Sequence, residues 1–89
     1  MENLPFEEEM TSDDFFIRKF YQETDSGDYK WHRDREDRII EPVEKTDWLV
    51  QLDDELPKLI EGEIFITKGV YHRLIKGTGD LVIKLTKIK

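Results

Sequence analysis

His32 and His72 are the only two histidines of an 89-residue chain that has no cysteine, and each stands in a stretch that could do chemistry. Around the first, residues 31–40 read WHRDREDRII. In an extended chain alternate side chains share a face. His32, Asp34, Glu36, Arg38 and Ile40 then lie on one side, with Arg33, Arg35, Asp37 and Ile39 on the other. Neither is an apolar core face, so one must look into water, a polar cavity or a partner. Unpaired burial of such groups would cost several kcal/mol each. Around the second, Thr67-Lys68-Gly69-Val70-Tyr71-His72 puts a glycine turn just before a histidine, which would aim that imidazole from a fixed base. Imidazoles and a carboxylate from two strands suit a divalent ion such as Fe, Mn, Ni or Zn, and two histidines with one carboxylate match a facial non-haem iron set. The two histidines and a carboxylate of the 32–38 stretch are therefore candidate metal ligands. Arg38 is the candidate anchor for a small anion, because a guanidinium pairs bidentately with carboxylate or phosphate. Trp48, Gln51 and Tyr71 join it as candidate ligand contacts.

A blander reading stands beside this one. Either histidine alone suits a surface or a satisfied core position, and the RDRED run suits a solvated strand face. Trp31, Trp48, Phe65 and Tyr71 equally suit a core. The acidic triplets Glu7-Glu8-Glu9 and Asp53-Asp54-Glu55 read as a solvated tail and a polar turn, the latter lacking the spacing of a calcium loop. Gly77 and Gly79 precede a strand and lack the Lys-Ser/Thr of a phosphate-cradling loop.

The elements that must position these residues are short and extended. Residues 15–22 (FFIRKFYQ) fit a strand or a short helix. Residues 24–28 (TDSGD) form a turn cluster. Strands are predicted near residues 31–40, 48–52, 64–67, 70–75 and 81–88, with Pro42 at a strand end, edge or bulge and turns at 53–57 and 76–80. The tail lysines Lys84, Lys87 and Lys89 suggest the wet face of an edge strand. Six or seven strands without a long amphipathic helix predict an all-β barrel or sandwich in one domain over residues 15–89, preceded by an acidic lead-in over 1–14 that is mobile or held by a partner.

Residues 26–76 resemble the cupin superfamily, whose members carry two motifs on facing strands. In the first, His32 and Asp34 take the two histidine positions and Arg38 the glutamate; Ser26 and Lys45 stand where glycines are expected, with Gly27 beside the first. In the second, Gly69 and His72 match, Thr67 replaces a proline, Gly62 comes one residue late and Lys76 replaces an asparagine. The strings GVYHRLIKG, WHRDREDR and DDELP also resemble short cupin-like proteins of T4-like tailed phages. The resemblance implies a small jelly-roll β-barrel with a pocket, often metal-bearing and often dimeric. It implies a metal site of His32, Asp34 and His72, in which Asp34 substitutes for a family ligand and Arg38 cannot ligate.

Composition narrows the partners. The net charge of −7 is concentrated in the first two thirds, and no basic cluster interleaved with aromatics offsets it, which argues against nucleic acid. No apolar run approaches the roughly 18 residues of a spanning helix. The first ten residues are acidic where a signal peptide is basic and then apolar. These features predict a cytoplasmic protein (host cytoplasm or virion if phage-encoded) with no membrane partner. So small a core also favours self-association, a dimer first. Two functions remain open: a small-molecule-binding protein, metal-dependent or not, for an anionic or sugar-like compound, and a non-catalytic structural or interaction protein on the same barrel.

Overall fold

The computed structural model describes residues 6–12, 14–23 and 29–88. The turn cluster at 24–28, with the motif positions Ser26 and Gly27, and Lys89 lie outside the described residues. Eight strands follow in chain order: β1 (Phe6–Met10), β2 (Phe15–Phe20), β3 (Asp37–Pro42), β4 (Leu49–Leu52), β5 (Lys58–Leu59), β6 (Ile64–Ile66), β7 (His72–Ile75) and β8 (Leu81–Ile88). No α-helix occurs among the described residues. The strands form a five-stranded sheet, β1-β2-β8-β3-β6, and a three-stranded sheet, β5-β4-β7, and every pairing is antiparallel. This is the expected small all-β barrel.

Alternation builds the core. Leu81, Ile83 and Leu85 of β8 are buried while the residues between them are not. Ile40 of β3, Ile64 and Ile66 of β6, Val50 and Leu52 of β4 and Leu74 of β7 join them from both sheets. Removing each such side chain from water contributes about 1.5–3 kcal/mol. Trp48, fully buried just before β4, donates its indole N–H to the Gly79 carbonyl at 2.9 Å and so ties the β7–β8 turn to the core.

The structure decides one expectation left open and corrects others. Residues 15–20 are a strand, because Phe16, Arg18 and Phe20 turn inward at period two. Phe6–Met10 of the acidic lead-in pairs along β2 as β1. Strand β8 is no edge but the third of five, and Lys84 and Lys87, three residues apart, fall on opposite faces of it. Lys84 stands 3.7 Å from Glu41, and Lys87 stands 3.8 Å from Glu36 on the face shared with Leu85. Of the four aromatics assigned equally to a core, only Trp48 is buried; Trp31, Phe65 and Tyr71 are 45%, 51% and 44% exposed.

The turn between β7 and β8 rests on Asp47. Its Oδ1 accepts the Thr78 N–H at 2.7 Å, and a Cβ at Gly77 would lie 2.8 Å from the backbone of Asp47 and Trp48, so the turn has no room for a side chain there. The Thr78 backbone N–H, then its side chain, holds the Asp47 carboxyl below its ordinary value of 3.8. A depressed folded-state value stabilises the fold above the unfolded value and loses that contribution as pH falls through the folded one. Asp47→Asn should therefore lower Tm at neutral pH, and the gap to wild type should close below about pH 4. A gap that stays constant down to pH 2 would show that the carboxylate charge is not what holds the turn.

Candidate metal centre

The segment before β3 carries two of the candidate ligands, and three sets of contacts hold it. His32 and His72 form an antiparallel bridge, with His32 N–H donating to the His72 carbonyl at 3.0 Å and His72 N–H to the His32 carbonyl at 2.8 Å. Gly69, at φ 79°, donates its N–H to the Asp34 carbonyl at 2.9 Å, and the Lys68 N–H reaches Asp37 Oδ1 at 2.8 Å. A left-handed φ favours glycine, so the turn that aims His72 also fixes Asp34. On the outer face, Arg73 lies 4.9 Å over the Trp31 ring and Arg33 lies 5.3 Å over the Tyr71 ring. These two directly opposed cation–π pairs flank the bridge from outside, each contributing about 0.5–1 kcal/mol at an exposed site.

Inside, His32, Asp34 and His72 converge, one ligating atom of each lying within 4.8 Å of the others. The two rings are 4.3 Å apart at their centroids. His32 Nδ1 lies 2.8 Å from the Lys30 carbonyl and His72 Nδ1 lies 2.9 Å from the Val70 carbonyl. A carbonyl can only accept, so each ring carries a proton on Nδ1, and in the neutral ring Nε2 is then a lone-pair donor, as in metal-bound histidines. His72 Nε2 is 3.2 Å from Asp34 Oδ2, and that buried oxygen has no hydrogen-bond partner in this tautomer. Two lone-pair atoms therefore face each other, an arrangement that needs a cation, either a metal ion or a proton on Nε2.

Arg38 holds the other side of the carboxylate. Its NH1 is 3.3 Å from Asp34 Oδ1 and its NH2 is 3.3 Å from Glu36 Oε1, while its buried Nε has no hydrogen-bond partner. Burial pushes the Asp34 carboxyl up; the contact with His72 Nε2 and the positive charge of Arg38 beside it outweigh that, leaving Asp34 below the ordinary carboxylate value. Asp34 is thus ionised and ready to ligate at neutral pH.

The structure brings together His32, Asp34, Arg38 and His72, and places Trp48, Gln51 and Tyr71 away from their cavity. Trp48 is core. Gln51 accepts from Arg73 through Oε1 at 3.0 and 2.9 Å, and Tyr71 stacks outside under Arg33. The cavity offers about 20 Å³, enough for an ion or one water, and its remaining walls are mostly aliphatic. It has one further charged wall that sequence reasoning missed: Arg18 of β2, 8% exposed and ion-paired with Glu8 of β1. The signal was present in FFIRKF, where a strand reading sets Arg18 between Phe16 and Phe20 on one face.

No protein-family model matches the sequence, and no curated protein matches it. Among solved structures, a Neisseria meningitidis protein superposes with a TM-score of 0.66 at 19% identity, over all of this chain and 89% of that one. A Ralstonia eutropha protein named as a candidate mannose-6-phosphate isomerase gives 0.65 at 11%, over 94% and 82%. A cupin domain from Bordetella pertussis gives 0.59 at 15%, over 100% and 98%. The chain has the cupin fold, and it spans most of the length of each of these proteins.

Proposed function

We propose that this barrel binds a small anionic ligand at a divalent metal held by His32, Asp34 and His72. The observation that carries the reading is the convergence of two Nδ1-tethered imidazoles on an ionised aspartate whose inner oxygen accepts no hydrogen bond. Two nitrogens and one carboxylate suit Fe, Mn, Ni or Zn and leave coordination positions for a ligand. A bound ion would supply Lewis acidity toward a coordinated oxygen of that ligand. Arg38, with both terminal nitrogens on carboxylates, serves in this reading to orient Asp34 and balance its charge. The sugar phosphate in the name of the Ralstonia eutropha protein is one compound of the anionic, sugar-like class.

The 3.2 Å contact between His72 Nε2 and Asp34 Oδ2 also favours a second reading. A proton there instead of a metal closes a buried ion pair, and the barrel becomes a non-catalytic structural or interaction protein. Metal analysis separates the two. Protein purified without chelator or metal-affinity resin should carry near-stoichiometric Fe, Mn, Ni or Zn, and His72→Ala should carry none. Metal-free wild type that takes up none of these ions on titration would overturn the metal reading in favour of the second.

A further inference from the structure

The same cavity has two charged walls. His32, Asp34, His72 and Arg38 make one, and Arg18 makes the other, projecting from β2 between Phe16 and Phe20. An arginine buried to 8% exposure among aliphatic side chains requires a counter-ion. Here that ion is Glu8, the residue directly opposite Arg18 in the β1–β2 register. Three features of the pair set it apart from a purely structural ion pair.

First, Glu8 is carried by β1, which is the terminal strand of its sheet and pairs with β2 alone. Second, the Glu8 side chain is 28% exposed and the Arg18 side chain 10%, so the carboxylate lies on the solvent side of the guanidinium. Third, Arg18 Nε, at 2.7 Å, and NH2 both contact the same oxygen, Oε2. A carboxylate that engages a guanidinium fully makes two parallel bonds through its two oxygens. Glu8, reaching in from its own strand, does not, and a free carboxylate can.

Charge matching points the same way. The acids in and beside the cavity, Glu8, Asp34 and Glu36, are paired with Arg18, Arg38 and Lys87. A divalent ion added at His32, Asp34 and His72 would leave this set of paired charges with excess positive charge, which an entering anion would offset. The cavity's 20 Å³ holds no organic ligand until a lining group moves. Arg18 is a lining group whose tether, Glu8, stands on the edge strand β1, so opening that pair releases it.

We propose that Arg18 is the anion anchor of this site, that Glu8 is its resting internal counter-ion, and that the ligand is a small carboxylate-bearing anion that displaces Glu8. The placement of the ligand's other end on the metal rests on the reading above; the Arg18 subsite does not.

Malonate is a suitable probe, titrated calorimetrically against the full chain, both metal-loaded and chelated, with malonamide as the uncharged control. Glu8→Gln keeps the shape of the side chain and removes its charge, so it should bind malonate at least tenfold more tightly than wild type in both metal states. Adding Arg18→Gln to that background should return the affinity to wild-type level or below, and malonamide should bind none of them. Should Arg18→Gln prove unfolded, the Glu8→Gln comparison alone decides. An affinity for malonate that is unchanged or weakened in Glu8→Gln overturns the proposal. If the protein proves unable to bind metal while the Glu8→Gln gain persists, the metal reading falls and the anchor stands. If metal binds but malonate ignores Glu8, the anchor falls and the metal reading stands.

Discussion

Added metal at a hundredfold excess over its Kd should raise the Tm of the wild-type protein by about 10–20 °C. The size follows from linkage: an ion that binds the folded chain alone stabilises it by about 2.7 kcal/mol at that excess. In a domain of 60–100 residues each kcal/mol moves Tm by about 4–8 °C. His32→Ala and Asp34→Asn should each abolish the shift for separate reasons. His32 contributes to the fold through its backbone, since both hydrogen bonds of its bridge to His72 are made by main-chain atoms, so alanine keeps the bridge and deletes a ligand. Asp34→Asn keeps the shape and removes the charge that balances both the ion and Arg38. Melting curves of the three proteins, with and without Mn, Ni or Zn, provide the measurement. A shift of equal size in wild type and both variants would locate the ion elsewhere. No shift in wild type would leave the proton as the occupant of the His72–Asp34 contact.

That these residues meet at all was partly legible in the chain. Alternation sorted His32, Asp34, Glu36 and Arg38 from Arg33 and Arg35, and that face does turn inward, although only His32 pairs before the ladder of β3 begins at Asp37. The glycine turn before His72 was visible as a fixed base for the ring; its second task, the hydrogen bond from Gly69 to the Asp34 carbonyl, requires the fold. Arg38 was assigned as a ligand anchor because a sequence names a charge without naming its neighbour. In space Asp34 and Glu36 stand 3.3 Å from its two terminal nitrogens, and the anchor we propose is Arg18 across the cavity. Tyr71 and Trp31 misled for a related reason. An aromatic on a strand is worth burying, but theirs is the outer face, and the arginines of the facing strand cover them instead. The order of strands was the least legible feature. Nothing local to LVIKLTKI says that it will lie between β2 and β3, because pairing partners far apart in sequence leave no periodic mark on the strand they flank.

Trp48→Ala should cost about 3–5 kcal/mol, the usual price of emptying a large aromatic site in a core that cannot collapse around it. Trp48 is the largest fully buried side chain, with its ring 5.6 Å from that of Tyr29 at the centroids. Its main chain is pinned on both sides: the amide donates to Thr46 Oγ1 at 3.1 Å, and the carbonyl accepts from the Ile60 N–H at 3.0 Å. The backbone therefore has little freedom to close the void. A chain of this length has a total stability of about 4–13 kcal/mol, so the loss should lower Tm by about 15–30 °C or unfold the protein at ambient temperature. Trp48→Phe isolates a smaller part. It keeps most of the volume but leaves the Gly79 carbonyl without the indole N–H, at a cost of about 1–3 kcal/mol. Trp48 does not line the cavity of the candidate metal site, so folded Trp48→Phe should show the same response to added metal as wild type. Circular dichroism melts with and without metal test both parts. An alanine variant within a few degrees of wild type would mean that this core repacks freely, and a phenylalanine variant that melts lower and also loses the metal response would mean that the β7–β8 turn and the metal centre move as one unit.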